Sequence, residues 1–144
     1  MILDALALFS DAQNSTISVA STSVVDTVAA GDAYVGCWFV VRVDTAFTTS
    51  TTTPTFTFQL QTAATEDFSG ATPATLVASA AYLASQLTAG KYWAVRIPAG
   101  CKRYLRGYKV VSTNTGANYV TAAIYDMFVV KDIDLEINKR YRLV

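Results

Sequence analysis

The sequence predicts an all-β protein, folded as a jelly-roll β-sandwich of about eight antiparallel strands. Three observations lead to this fold class. Helical periodicity is nearly absent, several segments alternate apolar and polar side chains with a period of two, and polar turn residues separate these segments. The jelly roll is favoured among β-sandwiches because it is built from eight strands in two Greek keys. A chain of 144 residues fits one domain.

The N-terminal segment has the one helix-like spacing in the chain. Its apolar residues Ile2, Leu3, Leu6 and Phe9 fit one or two helical turns or an irregular arm. Two short strands are predicted after it, at 16–20 and 23–25.

The longest predicted strand runs from Tyr34 to Val43. One parity of this strand is entirely apolar, and the other contains Arg42, which faces solvent or an interface. The apolar parity is therefore the predicted core face: Val35, Cys37, Phe39, Val41 and Val43. The threonine-rich stretch from Thr45 to Thr57 is interpreted as an exposed loop that runs into the next strand.

The remaining strands follow from alternation and from turn residues at their ends. They are predicted at Thr55–Gln61, Thr75–Ser79, Lys91–Ile97, Arg103–Val111 and Asn118–Val130. Pro98 ends one strand because proline cannot donate to a β-ladder. Asn114 and Gly116 indicate a hairpin turn between the last two strands. The predicted core between the two sheets comprises Phe39, Phe56, Phe58, Trp93, Val95 and Val120.

The two cysteines cannot form a disulfide framework. Cys37 lies within a strand pattern, where a thiol behaves as a small buried hydrophobe. Cys101 follows a turn and is expected to be the more reactive thiol. A single bridge between them stays open, although reduced thiols are the preferred interpretation.

The composition argues against catalysis and against cofactor, nucleic-acid or membrane binding. The chain has no histidine, the commonest general base and metal ligand, and carries 11 basic and 11 acidic residues. No apolar run reaches the ~18 residues of a membrane span. The acidic residues that could serve a glycosidase are expected to be solvated acids instead: Asp44, Glu66, Asp67 and Asp126.

One strand combines basic and aromatic residues. Arg103 and Arg106 interleave with Tyr104 and Tyr108, a pattern that fits a protein interface better than single-stranded nucleic acid at zero net charge. Trp38, on the polar parity of its strand, is a candidate interface residue, or a sugar platform if the protein binds carbohydrate.

The C-terminal segment 131–144 is separated from a domain at 1–130 by its density of charge. Residues 132–138 alternate, with Ile133, Leu135 and Ile137 opposite polar side chains, which is typical of a half-buried strand. It is either an intersubunit arm or an edge strand packed on its own domain. As an arm, it adds these candidate interface residues: Ile133, Leu135, Ile137, Arg140, Tyr141 and Arg142.

An ordered set of short segments resembles a known family. The opening residues 1–4 and the segment Phe9–Gln13 are followed by similar pieces at 41–47, 60–62, 66–69 and 103–106. Together they resemble the jelly-roll capsid cement (decoration) proteins of tailed bacteriophages, over roughly residues 1–130.

The resemblance implies a virion protein on the outer surface of the capsid, assembled in the host cytoplasm. Such a protein would clamp neighbouring major capsid protein subunits and associate with itself, with a homodimer favoured over a homotrimer. Phe9, Asp11 and Gln13 are then further candidate interface residues. The alternative is a carbohydrate-binding β-sandwich module of a phage fibre or of a secreted protein.

Overall fold

The computed structural model describes residues 7–29, 34–50, 54–69, 73–112, 120–131 and 143. These residues are nearly all β and form two antiparallel sheets arranged as a sandwich. The strands are β1 (Leu8–Asn14), β2 (Val19–Ala20), β3 (Val25–Asp26), β4 (Trp38–Thr49), β5 (Thr55–Ala63), β6 (Ala74–Ala78), β7 (Tyr82–Leu83), β8 (Tyr92–Arg96), β9 (Tyr104–Ser112) and β10 (Val120–Val130). A 3₁₀ turn at Ala84–Gln86 follows β7, and no described helix has the length and apolar character to cross a membrane.

The strand order is that of a jelly roll, so the predicted fold class is confirmed. Sheet A has the order β1-β10-β4-β8, and sheet B has the order β2-β9-β5-β6, with β3 on β9 and β7 on β5. The short pairs β2/β3 and β6/β7 each occupy one strand position. The pairing is nested along the chain: β1 pairs with β10, β2/β3 with β9, β4 with β8 and β5 with β6/β7. This is the winding of a double Greek key.

The bounds of β4 differ from the prediction at both ends. The strand begins at Trp38, after a turn in which Gly36 adopts a φ of 83°. Val35 lies in this turn and is 42% exposed, so its predicted place in the core is wrong. At the other end, Thr45, Thr48 and Thr49 pair with β10. The predicted threonine loop is therefore wrong in extent, because only residues 50–54 separate β4 from β5.

The core lies between the inner faces of the two sheets and is rich in aromatic rings. Phe9 meets Phe39 edge to face at 5.6 Å between ring centroids, and Phe39 meets Trp93 in the same way at 5.9 Å. Phe47 and Phe56 join the two sheets at 4.9 Å. Such edge-to-face pairs stabilise the core beyond the burial of their area. The predicted core residues Phe39, Phe56, Phe58, Trp93 and Val120 are buried, whereas Val95 is only half-buried.

Gly107 lies where β9 and β10 of the facing sheet approach closely. It lies on the inner face of β9, opposite Leu60 of β5. A Cβ atom at this position would overlap the Sδ atom of Met127, which lies on β10 of the facing sheet. The absence of a side chain at Gly107 therefore allows Met127 to pack against the backbone of β9.

The first strand contains a bulge that the sequence did not indicate. Leu8–Asn14 is a strand, whereas Ile2, Leu3 and Leu6 of the predicted helical turns or irregular arm lie outside the described residues. Its register with β10 shifts between Ser10 and Gln13, and Ala12 adopts a φ of 47°. The bulge directs the N–H of Ala12 at the Oδ1 atom of Asp126, 2.7 Å away. A bulge re-aims backbone groups in this manner.

Asp126 is not the solvated acid that the sequence suggested. It is 5% exposed, and its Oδ2 atom accepts hydrogen bonds from Nε and Nη2 of Arg42 at 2.9 and 2.6 Å. The expectation failed because Asp126 and Arg42 are cross-strand neighbours that are distant in the sequence. Cross-strand placement brings opposite charges within contact distance.

The cysteines are two reduced thiols, and their burial is the reverse of the expectation. Cys101 is 6% exposed, whereas Cys37 is half-buried. Cys37 precedes β4 in a turn rather than within a strand, so it is only half-buried, although it packs against the main core as its predicted inward orientation requires.

Little of the C-terminal segment lies within the described residues. Residues 132–142, like Asn114 and Gly116 of the predicted hairpin turn, are outside them. Leu143 is described: its N–H donates to the carbonyl oxygen of Tyr92 at 2.7 Å, and its side chain is buried in the main core. The chain therefore returns to its own domain at the free edge of β8.

Candidate interaction surface on the exterior of sheet B

The exterior of sheet B presents a regular polar and aromatic surface. Alternate residues of β9 point outward, and the register with β5 pairs each with an outward residue of that strand. Tyr108 lies opposite Gln59, and Arg106 lies opposite Gln61. We call the residues Gln59, Gln61, Tyr104, Arg106 and Tyr108 the tyrosine–arginine face.

Arg106 is held on this face by a hydrogen bond and by two aromatic rings. Its Nε atom donates to Oε1 of Gln61 at 2.9 Å, and the guanidinium lies 4.2 Å from the centroid of the Phe68 ring. The Tyr108 ring is 5.4 Å away on the same strand. Partial burial lowers the pKa of Arg106 because the charged form loses water.

Phe68 reaches Arg106 from the loop between β5 and β6. Its backbone has a φ of 55°, a conformation that is costly for a residue with a bulky side chain. Hydrogen bonds within the turn hold it in place. The N–H of Phe68 donates to Thr65 O at 3.2 Å, the N–H of Ser69 donates to Asp67 Oδ1 at 3.0 Å, and Thr65 Oγ1 donates to Ser69 O at 3.2 Å. The ring is 7% exposed.

The carboxylate of Asp67 is engaged within this turn and is not turned toward Arg106. Hydrogen bonds from Ser69 and then from Thr65 lower the pKa of Asp67. The nearest loop therefore supplies Arg106 with a ring to stack on and no counter-charge.

Arg103 differs from Arg106 because it forms an ion pair with a carboxylate of the same chain. Its Nε and Nη2 atoms donate to the two carboxylate oxygens of Asp26, each at 2.8 Å. Hydrogen bonds from Arg103 and from the N–H of Val28 lower the pKa of Asp26 to about 2. This exposed bidentate pair ties β3 to the start of β9.

The exterior of sheet A is apolar instead. Residues of β4, β8 and β10 form a second buried cluster with Trp38 and Leu8 at its margin: Val40, Tyr92, Ala94, Phe128 and Val130. The guanidinium of Arg96 lies 5.0 Å from the Trp38 ring centroid. Because of this cation–π contact, one face of the indole is occupied by a cation from the same chain. Trp38 is half-buried.

The comparison with protein families matches residues 9–129 to the Bbp16 family. The chain belongs to the Bbp16 family. The match extends from the core residue Phe9 of β1 to Val129 near the end of β10, so it contains the complete tyrosine–arginine face. The comparison with curated proteins found no match.

The predicted interface residues of this Bbp16-family chain differ in their exposure to solvent. Phe9 and Gln13 are 0% and 8% exposed, so their prediction as contact residues is wrong. Phe9 fills the core, and Gln13 donates from Nε2 to Ala20 O at 2.8 Å while its Oε1 accepts from Ser10 Oγ at 2.5 Å. Asp11 lies between them and is exposed at the bulge.

Arg106 lies on the tyrosine–arginine face of sheet B, Arg103 pairs with Asp26 just before β9, and Trp38 lies on sheet A. The remaining predicted contacts lie outside the described residues: Ile133, Leu135, Ile137, Arg140, Tyr141 and Arg142.

Sequence reasoning missed Gln61 and Phe68 as partners of Arg106. The outward parity of Gln59 and Gln61 was visible in the alternation of β5, but the neighbour of β5 in the sheet was not. Phe68 follows two acidic residues in a loop and gave no periodic signal. Within the part of the chain that the structure describes, no cluster of three or more His, Cys, Asp or Glu side chains is placed to hold a metal ion.

Proposed function

We propose that this protein is a structural capsid cement protein of a tailed bacteriophage. It binds the outside of the head and stabilises contacts between major capsid protein subunits, and it catalyses no reaction. It assembles in the host cytoplasm and associates with itself as a homodimer. The ordered sequence resemblance over residues 1–130 and the jelly-roll fold both support this proposal.

The observation that carries the proposal is the tyrosine–arginine face. Tyrosine and arginine are enriched at the centres of protein interfaces, because they combine large contact area with hydrogen bonding. Here they form a row on β9, backed by the glutamine side chains of β5. Such a surface is suited to a static protein contact and does not enclose a substrate.

A cement protein stabilises the assembled shell by mass action, as any ligand of the native state does. The direct experiment mixes the purified protein with undecorated heads and measures bound protein by sedimentation and by electron microscopy. We expect saturable binding at symmetric positions and a higher disruption temperature of the decorated heads. Absence of saturable binding, or binding to a glycan array in its place, overturns the proposal.

Two variants locate the contact. Tyr108→Ala removes a ring from the tyrosine–arginine face, and Trp38→Ala removes a ring from the exterior of sheet A. We expect the first to weaken head binding at least tenfold, as for an interface hot spot, and the second to change it little. The opposite result would move the contact to sheet A.

A further inference from the structure

Arg106 carries a cation that is held rigidly and has no counter-charge among the residues that the structure describes. The two ion pairs found among the described residues are Arg42–Asp126 and Arg103–Asp26. Arg106 forms neither, and none of the described carboxylates lies within ion-pair distance of it. Its charge is nevertheless partly withdrawn from water, which is costly unless a partner supplies an opposite charge.

The orientation of the Arg106 guanidinium is fixed by a short relay of amides. Gln61 accepts from Arg106 Nε through Oε1 and donates through Nε2 to Oε1 of Gln59 at 3.0 Å. These two hydrogen bonds fix which end of the Gln61 amide is the oxygen and which is the nitrogen. Because Nε is engaged, the two Nη groups are the donors that stay available at the outer end of the fork.

Two aromatic rings near the guanidinium restrict the same group further. Phe68 and Tyr108 hold the guanidinium at 4.2 and 5.4 Å from their centroids, and Phe68 keeps its position through a strained backbone conformation. A planar fork that is already immobilised loses little entropy when it binds a planar anion. Arginine and carboxylate match in this way through two parallel hydrogen bonds.

We propose that Arg106 is the anchor of the tyrosine–arginine face and that it binds an aspartate or glutamate side chain of the major capsid protein through its two Nη groups. The inference rests on the proposed function and adds to it the contact residue and the chemistry of its partner. The occupant is a shell subunit and not a second copy of this chain.

The test measures binding to undecorated heads for the unaltered protein and three variants. Arg106→Gln removes the charge, and Arg106→Lys keeps the charge but loses the fork and the stacking. The matched control is Arg96→Gln, which removes a stacked arginine from the exterior of sheet A. We expect Arg106→Gln to weaken binding on the order of 30-fold or more and Arg96→Gln to bind as the unaltered protein does. The affinity of Arg106→Lys should lie between those of Arg106→Gln and the unaltered protein.

A second arm tests the carboxylate. Undecorated heads are treated with a carbodiimide and glycinamide, which converts exposed carboxylates into amides. The unaltered protein should then bind no better than Arg106→Gln binds untreated heads, and Arg106→Gln itself should lose little more. Sedimentation of the protein alone should show the same self-association with and without the substitution.

The outcomes separate the inference from the function beneath it. Equal head binding by Arg106→Gln and the unaltered protein, or unchanged binding to amidated heads, overturns the anchor while the cement function stands. Loss of self-association in Arg106→Gln assigns the site to a second copy and overturns the inference as well. If the unaltered protein does not bind heads, both the function and the anchor fall.

Discussion

The Nζ atom of Lys109 lies 5.0 Å from the centroid of the Tyr125 ring, inside the sandwich. Lys109 is on the inner face of β9 and is fully buried, and its ammonium donates to the carbonyl oxygen of Ser15. The ring of Phe47 is 5.9 Å away, and no described carboxylate forms an ion pair with Lys109. Burial lowers the pKa of Lys109 to about 8 and raises the pKa of the Tyr125 hydroxyl.

The buried lysine makes stability depend on pH in the alkaline range. The unfolded chain keeps its lysine protonated up to the ordinary pKa of 10.5, whereas the folded chain releases that proton near pH 8. The unfolded state therefore binds more protons between these values, and stability rises with pH across that window. We expect a gain of about 2 kcal/mol between pH 7.5 and 9.5, measured from urea unfolding.

The control for this prediction is Lys109→Met, which fills similar volume without a charge. Every other titrating group is retained, so the difference between the two proteins isolates Lys109. We expect the variant to be the more stable form at pH 7.5 and to lose most of that advantage by pH 9.5. Parallel pH profiles would show that Lys109 does not titrate in this window.

A second prediction concerns the buried carboxylate of Asp126. Asp126→Ala removes the acceptor of three hydrogen bonds and leaves the N–H of Ala12 without it. We expect a loss of about 1–3 kcal/mol in the free energy of unfolding, measured in urea at pH 7. The control is Asp44→Ala, an exposed acid on β4, which should stay within about 0.5 kcal/mol of the unaltered protein. Equal losses of unfolding free energy in both variants would show that Asp126 has no special structural role.

The strands were predictable where one face is buried and the other polar. In β5 the alternation of Phe56, Phe58 and Leu60 with polar residues fixes both the element and its inner face. The alternation is weaker in β4 and β10, because both faces of sheet A are apolar. Val40 and Phe128 point away from the core yet are each 2% exposed.

Features that depend on strand register could not be read from the sequence. Arg42 and Asp126 become neighbours only when β4 and β10 pair, and Gln61 meets Arg106 only when β5 pairs with β9. A period of two shows which face of the sheet each side chain points to, but it does not show which strand pairs with the one that carries it. The bulge at Ala12 and the turn at Phe68 depend on positive φ values in residues that do not signal them.

A third prediction reverses the order of thiol reactivity expected from the sequence. Cys37 lies half-buried in a turn, and Cys101 is buried with its Sγ atom 3.6 Å from Pro98 O. A soluble maleimide should therefore modify Cys37 of the native protein first, because access limits the reaction of a buried thiol. Mass spectrometry of peptides identifies the site, and denatured protein, in which both thiols react, is the control. Faster labelling of Cys101 would contradict this placement.

The last prediction concerns the C-terminal segment. Its end is attached to the domain twice, by the hydrogen bond from Leu143 to Tyr92 and by burial of the Leu143 side chain, which is 8% exposed. We expect Leu143→Ala to cost about 2 kcal/mol, at the lower end for a buried leucine because the site is at a sheet edge. Truncation after Val130 should cost at least as much in urea unfolding.

The same two variants separate an attachment to the protein's own domain from an intersubunit arm. Leu143→Ala keeps residues 132–142, whereas truncation removes them with their alternating Ile133, Leu135 and Ile137. A purely internal role predicts that both variants lose stability and that neither changes self-association or head binding. An arm predicts that truncation weakens one of these association equilibria while Leu143→Ala leaves it intact, since strand addition to a neighbour depends on the removed backbone. Sedimentation equilibrium and head binding, at a temperature where both variants are folded, measure the difference. If truncation changes neither self-association nor head binding, the arm hypothesis is wrong and the segment is part of its own domain.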